Sequence, residues 1–386
     1  MARFLFVSAM EVFPWGGSEE LWSQAAALLC GRHPVAASIH AWPELHPRIL
    51  AIQKLGVKIY PRRPALASAA RVGNWFLPQR LRFQPASPFD HVLDEFQPEL
   101  AIISQGGTAD GLAAMQACQR RSIPFVLVVQ AVPEAVFWAD DRQLEKLTPL
   151  YQAARRVFFI SERNRRSLEI QFATRFTNAA IVHNPYNVRY QAHSPWPESI
   201  EPLRLACVAR LEFYAKGQDL LLDVLSRRKW RERPVKLNFF GAGPNRQILQ
   251  ARIQVEGLNN VALAGFSSNI EAVWKDHHAL VLASRQEGLP LALVEAFLCG
   301  RPAVVSPIGG NAELVRDNEN GYVARGATAD LFDAAMERLW QNRSALERLG
   351  ANARKTAEQL VPKEPSQRFS DELISLTNDV NKFRDQ

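Results

Sequence analysis

Cysteine is scarce: Cys30, Cys118, Cys207 and Cys299 are the only four in 386 residues, with no Cys-x-x-Cys pair and no metal-ligand spacing. That excludes a disulfide scaffold and a cysteine zinc site, and the four read as buried thiols of a reducing cytoplasm. No apolar run approaches the roughly 20 residues that span a bilayer. The opening MARFLFVSAM is too short, and too soon followed by Glu11 and Pro14, to be a signal peptide, and it reads as a first strand. Asp-x-Asp is absent from the chain, and the adjacent His277 and His278 would point in different directions on any regular element, so no metal site is read. RNP motifs, zinc-finger spacing and helix-turn-helix signals are also missing, which leaves nucleic acid without support as a partner.

What is present is a globular composition, 47% hydrophobic and 22% charged, on a chain long enough for two domains. The net charge of +7 favours an anionic partner such as a nucleotide sugar or an acidic lipid surface. Short apolar strands alternate with helical stretches throughout, which implies parallel sheets covered by helices on each face. The divisions are a first domain over 1–189, a proline-rich linker over 190–202, a second domain over 203–364, and a final helix over 365–386 that crosses back to the first domain.

In the first domain the strand Arg3 to Ala9 leads to Gly16-Gly17, then Ser18 as an N-cap, with Glu19 and Glu20 in the first helical turn. This glycine turn either lets backbone approach a phosphate or sugar or is a simple tight turn. Over 62–83, Arg62, Arg63, Arg71, Arg80 and Arg82 are interleaved with Trp75, Phe76, Leu77 and Phe83. Two readings stand: a peripheral contact with an anionic membrane, or a partly buried loop with solvated arginines. The continuous apolar run Phe125 to Val129 ends at Gln130.

The second domain carries the denser signals. After the strand Leu203 to Ala209 come Arg210 and Lys216-Gly217, two cations at the carboxyl edge of a parallel sheet, where a diphosphate can be clamped. The bland alternative is a pair of surface charges. Gly241-Ala242-Gly243-Pro244 follows another strand, but Arg246 stands in the place of a third glycine, so a dinucleotide fingerprint is weak. Phe266 follows the next strand as a neighbour for a base. The organising stretch is Ala283 to Gly300, ASRQEGLPLALVEAFLCG, a strand end, a polar turn and a helix opening at Pro290. Its N-terminal N–H groups suit a phosphate. Glu287 and Glu295 bracket the turn, although an ordinary amphipathic helix with a solvated loop charge would show the same pair. Gly309-Gly310 and Glu313 close the series.

Glu287 and Glu295 around Gly288-Leu289-Pro290, with Arg210 and Lys216-Gly217 before them, resemble the signature of the GT4 family, glycosyl transferases group 1. The resemblance implies an α/β GT-B fold: two Rossmann-like, doubly wound parallel-sheet domains facing a central cleft. It implies transfer of a sugar from a UDP- or GDP-sugar to a glycan or lipid-linked hydroxyl, with retention of configuration and no metal or other cofactor, in bacterial surface glycan or glycolipid synthesis. Arg210, Lys216 and Glu287 are then catalytic. Gly16, Gly17, Gln130, Gly241, Phe266, Gly288, Leu289, Pro290 and Glu295 bind the donor, with Glu295 on the ribose. Gln130 departs from the pattern, since many members carry histidine there, and an amide takes up no proton near neutral pH. The alternatives are a nucleotide-sugar binding subunit without transfer activity and a GT-B sugar-nucleotide epimerase.

Overall fold

The computed structural model describes residues 1–63, 87–134, 139–192 and 194–384. The first lobe is built on seven strands: β1 (Phe4–Ser8), β2 (Val35–His40), β3 (Lys58–Arg62), β4 (Leu100–Gln105), β5 (Phe125–Val129), β6 (Arg156–Phe159) and β7 (Ala179–Ile181). All pair in parallel, in the order β3-β2-β1-β4-β5-β6-β7. Helices cover both faces, which is why every residue of β1, β4 and β5 is buried and polar residues enter β1 and β4 only at their carboxyl ends. Strand alternation divides the core: Leu5 and Val7 face one cluster, Phe4 and Phe6 the other.

The second lobe repeats the plan with β8 (Leu203–Val208), β9 (Val235–Phe240), β10 (Val261–Gly265), β11 (Ala279–Leu282), β12 (Ala303–Val305) and β13 (Gly321–Val323), in the order β10-β9-β8-β11-β12-β13. Central β11 is buried throughout, whereas edge strand β10 alternates buried and exposed residues. In each sheet the winding reverses beside the first strand, between β1 and β4 and between β8 and β11. A crevice opens at the carboxyl ends of strands where winding reverses, and that is where open α/β sheets bind ligands.

The helix Pro365–Arg384 returns to the first lobe, where Phe369 packs edge-on against Phe158 at 5.2 Å and Ser366 Oγ donates to Gln24 Oε1 at 3.0 Å. Segment 190–202, read from sequence as a linker, is strapped to the second lobe. Ala192 is fully buried, Arg301 Nη2 donates to the Pro195 carbonyl at 2.5 Å while its guanidinium lies over Trp196, and His278 Nε2 bonds Ser199 O at 2.9 Å. Among the described residues no helix is long and apolar enough to cross a membrane.

Two local expectations need correction. The first helix is Gly17–Cys30 with Gly16 as its N-cap, so Ser18 lies inside it. Glu19 ties the first turn to the end of β1: it accepts from Ser8 Oγ and Trp22 Nε1, both at 2.6 Å, and its burial raises its pKa. Arg62 is internal and so unavailable to a membrane. Its Nη2 donates to Ser8 O and its Nη1 to Ser38 O, both at 2.6 Å, its plane lies over Phe89, and burial pulls its pKa down to about 10. The rest of the 62–83 reading beyond Arg63 falls outside the described residues.

Candidate active site

The carboxyl edges of the two sheets face each other, and the lobes meet through glycine. A Cβ on Gly288 would lie 1.9 Å from the Gln130 carbonyl oxygen of the first lobe, so only a residue without a side chain fits this approach. Next to it, Gly309 N donates to Glu134 Oε1 at 3.0 Å. Glu313 accepts from the Arg163 N–H at 2.6 Å and the Glu162 N–H at 3.3 Å, at the start of helix Glu162–Gln171. A carboxylate suits that positive helix end. Gly17 lies against the second lobe too, since its Cβ would stand 3.4 Å from Leu291 Cδ1. Leu289 packs against the cores of both lobes.

Lys216 ends the short helix Phe213–Lys216, whose N-cap Glu212 accepts from Ala215 N at 3.3 Å. Gly217 follows in the left-handed region at φ 63°, and a Cβ there would lie 2.1 Å from Ala283 O. This close approach brings Lys216 to the organising stretch. Its Nζ sits 2.8 Å from both oxygens of Glu287, which also accepts from Ser284 Oγ at 2.7 Å. The side chains are 21% and 6% exposed, so the pair is shielded from water on most sides. Two residues singled out from different stretches of the sequence are therefore ion partners here.

Arg210 follows β8 directly. Its guanidinium lies over the ring of Phe13, a first-lobe residue, at 3.8 Å. Its Nη2 donates to Glu212 Oε2 at 3.2 Å, and Gln218 Nε2 donates to its carbonyl at 2.7 Å. The Gly-x-Gly turn braces this loop: a Cβ on Gly241, at φ 143°, would lie 2.0 Å from Ala209 O, and one on Gly243 would lie 2.3 Å from Leu211 O. Gly16 stands close by, its Cβ position 3.9 Å from Arg210 Nη1.

Glu295 lies in helix Leu291–Leu298, N-capped by Pro290. It is only 3% exposed, and its Oε1 accepts from Asn187 N at 2.9 Å and Asn187 Nδ2 at 3.0 Å. Burial raises its pKa against the pull of those bonds, with the nearby Glu20 adding to the rise. Asn187 also accepts from Arg48 Nη2 at 3.2 Å, and Arg48 pairs with Glu20. Glu295 thus reaches the segment where the chain passes between lobes. Gln130 exchanges amide bonds with Asn184 at 2.7 and 3.3 Å. Phe266 stands apart from the others, 79% exposed at the end of β10.

Among the described residues, buried side-chain atoms without a hydrogen-bond partner include Asn164 Nδ2, Arg210 Nε, Gln218 Oε1 and Asn311 Oδ1. Arg210 and Gln218 belong to the stretch after β8, and the others among the described residues, Arg3 Nε, His33 Nδ1, Arg156 Nε and Trp274 Nε1, belong to residues not assigned to the site. Asn164 Nδ2 lies 3.5 Å from the Cβ position of Gly288. Buried unmet polarity is costly and marks a place where a polar ligand could be bound. Sequence reasoning missed Phe13, Glu134, Asn164, Asn187 and Ser284, because nothing in their local spacing sets them apart from other loop or helix residues. The one available signal was the position of Phe13 between the first strand and Gly16-Gly17.

Residues 192–356 match the family model described as glycosyl transferases group 1. The poly(ribitol-phosphate) alpha-N-acetylglucosaminyltransferase of Staphylococcus aureus is 26% identical over 166 residues, 42% of this chain and 33% of that protein. The GDP-mannose-dependent alpha-(1-6)-phosphatidylinositol monomannoside mannosyltransferase of Mycolicibacterium smegmatis is 29% identical over 189 residues, 43% of this chain and 49% of that protein. The matched stretch thus spans about half or less of these curated relatives. In fold the likeness extends over nearly the whole chain. HepE of Anabaena, crystallised with UDP, superposes with a TM-score of 0.75 at 18% identity, covering 97% of this chain and 100% of that one. Sucrose-phosphate synthase of Thermosynechococcus elongatus gives 0.73 at 14% identity, covering 98% and 99%. Residues 192–356 are accordingly similar to glycosyl transferases group 1, in a chain with the two-lobed GT-B fold.

Proposed function

We propose that this protein is a retaining glycosyltransferase that moves a sugar from a nucleotide-diphosphate donor, a UDP- or GDP-sugar, to a hydroxyl of a glycan or lipid-linked acceptor without a metal cofactor. The observation that supports this best is the Lys216–Glu287 pair beside the helix that opens after Pro290, with Arg210 directly after β8 in the same lobe. When the bond to the anomeric carbon breaks, negative charge grows on the departing phosphate. Fixed cations and helix N–H groups aimed at that charge stabilise the transition state, each by about 2 to 4 kcal/mol. Glu287 orients the Lys216 ammonium and, in this scheme, meets the hydroxyls of the donor sugar. Glu295, with both bonds from Asn187 on Oε1, has Oε2 for the ribose.

Gln130 takes up no proton near neutral pH, so the departing phosphate is the base for the acceptor hydroxyl in this scheme. Closure of the lobes would exclude water from the donor. The names of the bacterial relatives support a place in surface glycan or glycolipid synthesis. The four unpaired cysteines suit the reducing cytoplasmic side.

Thermal melting against UDP-, GDP- and ADP-sugars tests the donor class. At a hundred times Kd the matching donor stabilises the fold by about 2.7 kcal/mol, a rise of several degrees. Transfer followed by NMR of the anomeric proton, with and without EDTA, tests the rest. An inverted product overturns retention, activity lost in EDTA overturns metal independence, and binding without turnover makes the chain a binding subunit.

A further inference from the structure

We infer that Phe13 is a positioning residue for the phosphate clamp: its ring, carried by the first lobe, orients Arg210 of the second, so the clamp takes its working geometry when the lobes close. The inference rests on the reading of Arg210 as a phosphate ligand. A guanidinium is planar, with a face that stacks on aromatic rings and an edge that donates hydrogen bonds in the plane. In Arg210 the face is covered by Phe13 at 3.8 Å, one edge nitrogen is held by Glu212, and Nε is buried with no partner. Stacking and phosphate binding use different parts of the group, so the ring can hold the plane while the edge meets an anion.

The loop that carries Phe13 is itself tied down. It links β1, at the point where the first sheet reverses its winding, to helix Gly17–Cys30. Trp15 Nε1 donates to Glu20 Oε1 at 2.9 Å, and its ring stacks on His46 with centroids 4.4 Å apart and planes 11° from parallel. Gly16, next in the chain, lies against Arg210 Nη1. The aromatic ring is thus presented to the guanidinium from a braced loop, across the cleft. A side chain that meets Arg210 only from the opposite lobe couples closure to the orientation of the charge, which a residue on the second lobe would not do.

The test is a double-mutant cycle on the full chain, read by calorimetry with UDP, GDP and ADP separately and by kcat and KM with the sugar nucleotide that responds. Phe13→Ala weakens binding of the responding nucleotide about tenfold, as expected for a partly desolvated cation–π contact. Phe13→Leu, which keeps apolar bulk without a π face, loses as much, and Phe13→Trp stays within about threefold of the parent. In an Arg210→Ala background Phe13→Ala adds less than about twofold. Full affinity in Phe13→Leu, or the same tenfold loss with Arg210 already removed, overturns the inference. If Arg210→Ala itself binds nucleotide normally, the clamp reading falls first. Should Phe13→Ala melt early, the leucine and tryptophan variants carry the comparison.

Discussion

Lys216 and Glu287 should be energetically coupled, and the size of that coupling can be worked from their geometry. At 2.8 Å and an effective dielectric of about 20, the opposite charges attract by roughly 6 kcal/mol. Removing both from water cancels about half or more of this. With side-chain exposures of 21% and 6%, and Ser284 supplying an extra bond to the carboxylate, a net coupling of about 2 to 3 kcal/mol remains. Lys216→Met strands a buried carboxylate on a single hydroxyl donor. Glu287→Gln sets a neutral amide against an ammonium. Each single change should cost about 3 kcal/mol in urea unfolding near pH 8, and the double change little more than either. Turnover should fall in every variant, and the two losses should combine to less than their sum, because the contact between the charges is already lost in each single change. Singles that add to within about 0.5 kcal/mol would show two independent charges and refute the reasoning.

Gly288→Ala places a methyl 1.9 Å from the Gln130 carbonyl, so each lobe should fold while closure fails; turnover drops about a hundredfold, small-angle scattering shows a larger radius, and full activity would mean the lobes work apart. Glu313→Ala removes the acceptor for the Arg163 and Glu162 N–H groups, and the lost helix-end contact of about 1 kcal/mol should weaken apparent donor affinity roughly fivefold by calorimetry. His278 accepts the Arg204 N–H on Nδ1 at 3.0 Å, so its Nε2–H donates to Ser199 O, and burial holds its pKa down at about 4 against an ordinary 6.5. As pH falls below 6.5 the unfolded chain takes the proton first, so this contribution is complete above 6.5 and lost toward pH 4. It amounts to about 2 kcal/mol after allowance for partial shielding. Urea titrations should show the stability gap between the parent and His278→Gln narrowing by that much over the window, and a constant gap would mean the ring is not held neutral.

The division between what local sequence discloses and what it conceals follows from the kind of contact involved. Parallel strands covered on both faces must be apolar throughout, so β5 and β11 are legible as runs, and the helix periods between them give the alternation. Gly217, Gly241 and Gly288 are legible as motif glycines, and the structure supplies the reason: each presses on a carbonyl where a Cβ would stand about 2 Å away. Arg62 was misjudged because a basic residue among prolines and aromatics looks solvated. Yet the end of β3 lies where the carbonyls of Ser8 and Ser38 converge, and a guanidinium can satisfy both. Segment 190–202 reads as a linker by composition, and composition gives no sign that Arg301, from a distant turn, binds its carbonyls. The largest concealment is across the cleft. Phe13 on Arg210, Glu313 on the Arg163 N–H and Asn187 on Glu295 join residues more than a hundred positions apart, and no periodicity or short spacing encodes such pairs. Composition and motif can therefore place charge at one lobe's edge, but the direction in which that charge points is decided by the other lobe. Substitutions in the first lobe that never touch the nucleotide should on that account still change how tightly it is held, as Phe13 is expected to do.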